Sequence, residues 1–430
     1  MNRYSRCFSF LSALVITVAL SQPIFAAPVE LSMDESIAMA MKNNYDISYV
    51  KSAREKSFWA LKETEKNKGV SLKYTHTDER YNSPPSLYSS TYIYTNTFDN
   101  QFVLSVPIYS GGKLEGQSEQ AKLDLKVADL DIEATKQQLR QTVISDYLTV
   151  LQYRNEVQID QNTATNYEEH LNLVQQKFDL GMVAKTDILS SQVNLAKAQD
   201  TLMKAQNNYN NAVATLNNAI GLPHETELKL KDDLNYQKYP QTLETCLRYA
   251  QANRPEMAQY QAKLDSAGYG VKVAQSGHLP TIDFSAEQDW NDTHLAGTEN
   301  SNWLIKLSTS LNVFDAGLTD SKVKQAQHNV NMVSDKAAQQ RDSILLDVRQ
   351  DYLSVLEAIK RIETNKVSVN QAEENLMIEK VRYDIGAGTN LDLLDAVLSL
   401  DSAKKDYIQA MYDFNTYKAK LEWAMGIPVK

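Results

Sequence analysis

The chain has 430 residues, of which 43% are hydrophobic and 23% charged, with 54 acidic against 44 basic side chains and a formal net charge of -10. That balance argues against a nucleic-acid partner, because phosphate binding needs a basic surface. Two cysteines are too few for a disulfide scaffold, and the length sets a prior of two or three ordinary domains.

Residues 1–26 read as an export signal peptide. Arg3 and Arg6 form a positive n-region, "FLSALVITVAL" is an apolar stretch of h-region length, and "IFA" ending at Ala26 is a small-residue cleavage site. Its removal takes away two positive charges and no acids, so the net charge becomes -10 - 2 = -12. Cys7 lies in the n-region and not at the cleavage point, so no lipid-attachment cysteine is expected, and only Cys246 remains. No later stretch approaches the ~20 apolar residues of a membrane helix. A membrane β-barrel stays open as a possibility, because its strands hide apolar residues by alternation.

In chain order, residues 27–68 read as a first helical region and 69–108 as a β-hairpin. "FDNQFVLSVPI" sets Phe98, Phe102, Leu104, Val106 and Ile108 against Asp99, Gln101, Val103 and Ser105, a period of two. "GVSLKYTHTDE" is its weaker partner, and "RYNSPPSLYSS" is the turn-prone loop between them. Residues 109–223 read as a long helix pair. No Gly or Pro occurs from Gln117 to Leu180, the composition favours helix, and Leu139, Val143, Tyr147 and Val150 recur at helical spacing. A helix of about 65 residues runs ~100 Å and needs an antiparallel neighbour along its length. Gly181 is its stop signal, and a second helix runs from about Lys185 to Ala219.

Residues 224–241 form a linker, expected to build part of an equatorial collar. Then the pattern returns: a helical region at 242–277, a hairpin at 278–313 and a helix pair at 314–430. "VPIYSGG" stands opposite "LNVFDAG", "SDYLTVL" opposite "QDYLSVL", "FDLGMVAKTDILSS" opposite "YDIGAGTNLDLLDA", and "AIGLP" opposite "AMGIP", each pair 205 residues apart. Upstream, "AMKNNYDI" and "AQANRPEM" are 210 apart, so the first copy holds 210 - 205 = 5 extra residues between Ile47 and Val106. In the second hairpin "WLIKLSTSLNVF" alternates through to Phe314, with "LPTIDFSAEQDW" as partner and "NDTHLAGTENSN" as loop. Strands of roughly ten residues suit a tilted membrane crossing. Four strands cannot close a barrel alone, since open edges in lipid leave backbone groups unsatisfied and barrels need at least about eight strands. Several chains then share one barrel; the competing reading is a pair of soluble hairpins packed on helices.

The six histidines (His76, His170, His224, His278, His294, His328) show no metal-ligand spacing, and there is no phosphate loop or nucleophile elbow. No catalytic residue, metal or cofactor is expected, so the protein reads as a non-enzyme.

The ordered set of paired strands, paired long helices, the two junction motifs and the two Gly turns resembles the TolC-like outer membrane efflux channel family across the mature chain. The resemblance implies a mainly α fold with membrane β: a homotrimer whose four strands per chain share a twelve-stranded barrel, above an α-helical tunnel through the periplasm. It implies a periplasmic adaptor and an inner-membrane RND or ABC transporter as partners, in contact with outer membrane lipid. It places Asp392 and Asp395 on an acidic ring at the periplasmic aperture. It makes Asp187 and Tyr383 parts of a latch between helix pairs, and Gly181, Gly386 and Gly388 the helix-tip turns. Tyr109, Gly112, Phe314 and Gly317 become the strand-to-helix junctions. Some members carry an arginine where this chain has Gly388, so the latch is expected to use other cations, Arg382 or Lys185. Type I protein or peptide secretion is the alternative function within transport. A structural coiled-coil envelope protein is the alternative of another class, although it leaves the repeat and the strands without purpose.

Overall fold

The computed structural model describes residues 28–83, 93–237 and 239–429. Residues 1–26, read as a signal peptide, and most of the first hairpin loop lie outside the described residues. Strand β1 (Val29–Leu31) leads into α1 (Met33–Asn43) and α2 (Tyr45–Lys66), then β2 (Ser71–Ser83) and β3 (Ile93–Tyr109). Helices α3 (Lys113–Asp179) and α4 (Lys185–Ile220) are followed by β4 (Leu228–Leu230), α5 (Leu243–Asn253) and α6 (Pro255–Gln275). The chain ends with β5 (Thr281–Asp292), β6 (Asn300–Ser310), α7 (Leu318–Asp384) and α8 (Asn390–Ala424).

α3 and α7 have 67 residues each, and both of their ends are displaced by 205 positions. At 1.5 Å per residue each is ~100 Å long. Each is covered in two stretches. Near the strands, α2 and α6 flank α3, and α6 reaches across to α7; toward the far ends α4 packs on α3 while α8 fills the gap between α3 and α7. The middle of the rods holds the core. Val143, Tyr147 and Val150 are fully buried with Leu216 and Ile220, and Val348 and Val355 with Phe414 and Leu421 in the second copy. These α3 positions carried the helical periodicity of the sequence. Tyr147 donates to Asp232 Oδ2 at 2.8 Å and so ties the linker to α3. Within that linker β4 pairs in parallel with β1, Leu228 opposite Val29 and Leu230 opposite Leu31.

The four longer strands form one antiparallel sheet in the order β2-β3-β5-β6, which leaves β2 and β6 as open edges. They have 13, 17, 12 and 11 residues, longer than the expected ten. Arg80 to Ser83, Asn291 and Asp292, and Asn300 to Asn302, assigned to loops by their polarity, belong to strands. Pairing with a neighbour carries a ladder through polar residues, so polarity alone does not end a strand. β6 errs the other way. The alternation runs to Phe314, but β6 stops at Ser310, opposite the first residue of β5. Beyond it Leu311, Val313 and Phe314 find no partner strand and are exposed at 52%, 90% and 87%.

The rungs Ser71–Ser105 and Thr281–Ser310 occupy equivalent places in the repeat. The 5 extra residues of the first copy therefore lie at the far end of its hairpin, away from the helices. One face of the sheet is apolar: Leu72, Leu104, Ala286 and Ile305 form one row, and Val106, Phe284 and Leu307 fall on the next. The opposite face carries Lys73, Asp283, Ser285, Glu287, Lys306 and Ser308. Tyr74, Phe102 and Trp290 cluster near the outer end, with ring centroids 4.9 and 6.0 Å apart. Near the helices the register of β3 shifts between Pro107 and Tyr109. Proline lacks the N–H a ladder needs and is tolerated beside such a bulge. The inserted residue, Ile108, brings Tyr109 opposite Ile282 and so onto the apolar face. Among the described residues no helix is long and apolar enough to cross a membrane.

Candidate functional site

Two pairs of helix ends meet at the far tip. α3 and α7 both end on a left-handed glycine, Gly181 at φ +75° and Gly386 at φ +76°. In each turn the residue after the glycine reaches back, Met182 N–H to Lys177 O at 2.9 Å and Ala387 N–H to Arg382 O at 2.8 Å. This six-to-one bond satisfies carbonyls that a helix end otherwise leaves free. Gly388 N–H also bonds to Arg382 O at 3.0 Å, and a Cβ on Gly388 would lie 3.1 Å from that of Arg382. A side chain there crowds the preceding turn, a physical reason for glycine at this position. At the other end of the rods, Gly112 and Gly317 are the N-caps of α3 and α7, at φ +83° and +81°.

The acids begin α4 and α8. Asp392 and Thr389 form a reciprocal capping box: Thr389 N–H donates to Asp392 Oδ2 at 3.1 Å and Asp392 N–H to Thr389 Oγ1 at 3.2 Å. The Thr389 hydroxyl and then its backbone N–H hold the Asp392 carboxyl below its usual range, with a smaller pull from Arg382. Asp187 makes half of this arrangement, accepting from Ala184 N–H at 3.2 Å, because Ala184 has no hydroxyl to answer with. Asp395 lies one turn further on the same exposed side of α8, opposite buried Leu393, Leu394, Ala396 and Val397.

Tyr383 joins the two pairs. It is 4% exposed and packs with Val174 of α3, Ile188 of α4 and Leu393 of α8. The His170 ring stands edge-on at 5.1 Å, and Lys177 Nζ lies 3.9 Å from the Tyr383 ring centre while donating to its carbonyl at 2.9 Å. Burial raises the Tyr383 phenol above its usual pKa, and the Asp187 and Asp384 carboxylates add to this. Its hydroxyl is buried with no hydrogen-bond partner among the described residues. Asp187 and Tyr383 are thus neighbours but share no hydrogen bond within the protomer.

Within the protomer neither of the expected substitute cations meets Asp187 or Tyr383 through an ion pair among the described residues. Arg382 is held by Glu379 at 2.6 Å, and Lys185 makes no ion pair among the described residues. Lys177, the repeat counterpart of Arg382, takes the place beside Tyr383. His170 and Asn390 complete the junction: His170 Nε2 bonds Asn390 Oδ1, and Asn390 Nδ2 donates to Asp187 O at 3.5 Å. Sequence reasoning passed over all three, although the alignment of "QKFDLG" with "VRYDIG" puts Lys177 opposite Arg382. Above the tip the seam between α3 and α8 is polar. Gln152 meets Gln409 at 2.7 Å, Lys405 meets Asp160 at 2.5 Å and Asp401 at 3.0 Å, and Thr163 meets Asp401 at 2.8 Å.

One antiparallel sheet with an apolar face, joined to paired helices of this length, is the architecture of a channel-forming membrane protein. The chain belongs to the outer membrane efflux protein family, whose model matches residues 37–222 and 246–427. This bears out the resemblance read from the repeat; the family is one of channels, not of enzymes. Outer membrane protein TolC of Escherichia coli (strain K12) is 26% identical over 314 residues, covering 70% of this chain and 64% of that protein. Alkaline protease secretion protein AprF of Pseudomonas aeruginosa is 24% identical over 307 residues, covering 70% of this chain and 64% of its own length. The chain thus spans less than two thirds of these two relatives. The solved outer membrane protein VceC of Vibrio cholerae has the same fold, with a TM-score of 0.79 at 14% identity over 92% of this chain and 96% of that one.

Proposed function

We propose that this chain is one third of a homotrimeric channel that carries small toxic molecules across the outer membrane of a Gram-negative bacterium. In this reading residues 1–26 direct export and are removed without lipidation. The hairpins at 69–108 and 278–313 give four strands to a shared twelve-stranded barrel, and the helix pairs at 109–223 and 314–430 build the periplasmic tunnel. The helical regions at 27–68 and 242–277 complete the upper wall, and the linker at 224–241 forms part of a collar. Asp392 and Asp395 line the aperture, and Asp187 with Tyr383 latches the pairs. A periplasmic adaptor and an inner-membrane RND or ABC transporter supply substrate and energy.

The observation that carries this reading is the sheet itself. It is apolar on one face, open at both edges and continuous with paired helices ~100 Å long. A sheet of this kind needs lipid on one side and further strands on both edges. The name of the AprF relative keeps protein secretion as the second reading. Deleting the gene and measuring accumulation of several dyes and antibiotics, together with the proteins in the culture medium, separates the two. Raised dye accumulation with an unchanged set of secreted proteins supports efflux, and the reverse supports secretion.

A further inference from the structure

Behind the tip, α3, α7 and α8 enclose a cavity of about 300 Å³. That is at the lower end of the range for small-molecule sites. Its lining is mixed: Tyr167 and Leu173 on α3, Leu376 on α7, and Leu394 and Val397 on α8 give an apolar side, and Asn166 on α3 adds a polar one. Three charged side chains stand at its edge, Glu169, Asp384 and Lys380, a net charge of -1.

The wall also holds His170, which is 8% exposed. Hydrogen bonding fixes its chemistry. Asn390 Nδ2 donates to Asp187 O, so the amide oxygen of Asn390 faces His170 and can only accept. His170 Nε2 therefore carries the proton. Burial lowers the pKa of the imidazole and the nearby Lys177 adds to this, while the Asn390 bond and Asp384 oppose it, so the ring is neutral near pH 7. A neutral ring protonated on Nε2 has a bare Nδ1, an acceptor used by no hydrogen bond among the described residues.

We propose that this cavity binds an amphipathic organic amine, with the apolar body among the leucines and the ammonium group between His170 Nδ1 and the Glu169 and Asp384 carboxylates. The apolar side of the cavity receives the body, while a bare acceptor and a negative edge select a cationic donor over an acid of the same shape. A bound amine touches three helices from both pairs and so ties them together. Binding does not depend on the channel reading, because it is measured on the purified protein.

The test is titration calorimetry of 4-phenylbutylamine into the full-length protein in detergent at pH 7.5, with 4-phenylbutyrate as the acid of matched shape. The amine is expected to bind at least tenfold more tightly than the acid, a difference of about 1.4 kcal/mol. Leu394→Trp, which fills the cavity, is expected to abolish binding. The exposed pair Glu169→Gln with Asp384→Asn is expected to weaken it severalfold, and this variant keeps the test decisive should the tryptophan disturb folding. Absence of amine binding, equal binding of amine and acid, or wild-type affinity in the Glu169→Gln, Asp384→Asn protein overturns the proposal.

Discussion

Asp392 and Asp395 are one turn apart on the same helix face, yet only Asp392 is engaged, bonded to Thr389 N–H at 3.1 Å. Replacing it with asparagine weakens that capping box, whereas Asp395 is free to act through its charge alone. If these acids ring an aperture, their like charges repel one another across it, more strongly the less water separates them. The double variant Asp392→Asn, Asp395→Asn is expected to assemble normally but lose cation selectivity and multivalent-cation block in planar bilayers. Wild-type selectivity in that variant would leave these acids as helix caps and nothing more. Asp187→Ala is expected to raise conductance by loosening the contact with Tyr383, and unchanged conductance removes the latch. A third pair of acids sits mid-rod. Asp146 and Asp351, the repeat-matched acids of "SDYL" and "QDYL", are each pushed up to about 6 by burial. The folded value then lies above the ordinary aspartate value of 3.8, so the folded state binds protons more tightly than the unfolded one. Their contribution to stability is fullest below pH about 4 and is lost as pH rises through about 6. Asp146→Asn with Asp351→Asn is expected to raise the Tm at pH 7.5 and to have little effect at pH 4. An equal gain at both values would rule out titration as the cause.

At the scale of elements, the faces of the sheet make the sharpest claim. Leu307 is 67% exposed on the apolar face in one protomer, whereas Ser308 points the other way. Leu307→Arg is expected to remove roughly 2–4 kcal/mol of membrane stability and much of the assembled trimer, and Ser308→Arg far less. Equal loss from both would show that the faces are reversed. Helices were the most legible elements, because a Gly- and Pro-free run with a repeating apolar face has few other ways to fold. Both tip turns were legible too, since glycine after a helical run has one common use. β1 and β4, at three residues each, are too short to show a period. The end of β6 was hidden because alternation records side-chain pattern, and a strand ends where its partner does. His170, Lys177 and Asn390 escaped for a related reason. His170 and Lys177 lie on α3 and Asn390 begins α8, and only packing between helices distant in sequence brings the first two against Tyr383 and the third against His170.

For the whole molecule, exposure in one protomer marks what further copies must cover. α7 leaves Leu346, Leu353, Val367 and Val381 uncovered at intervals of seven or fourteen residues, with exposures of 53%, 56%, 54% and 55%. A seven-residue spacing is the seam of a coiled coil. α4 offers Leu189, Val193 and Met203, also exposed. Leu353→Glu is therefore expected to reduce the heat-modifiable trimer in outer-membrane fractions while helical circular dichroism is kept. A monodisperse, detergent-free monomer with full β content would refute shared-barrel assembly altogether.

β3 ends at Tyr109 and α3 begins at Lys113, so only three residues separate the sheet from a rod that has no internal glycine or proline after Gly116. Mechanically this is a lever with its pivot at Gly111 and Gly112; α7 has a matching left-handed glycine at Gly317, but a longer link, residues 311–317, joins it to β6. Rotating a ~100 Å arm by one degree about such a pivot displaces its end by ~2 Å, about the difference between a hydrogen bond kept and one broken. A push at the tips is therefore delivered almost undamped to the strands, while a slight change of tilt at the sheet becomes a large displacement at the far end. The stiffness of the rods sets the gain of the device, and substitutions that soften them, such as a glycine placed mid-rod, should uncouple its two ends without touching either.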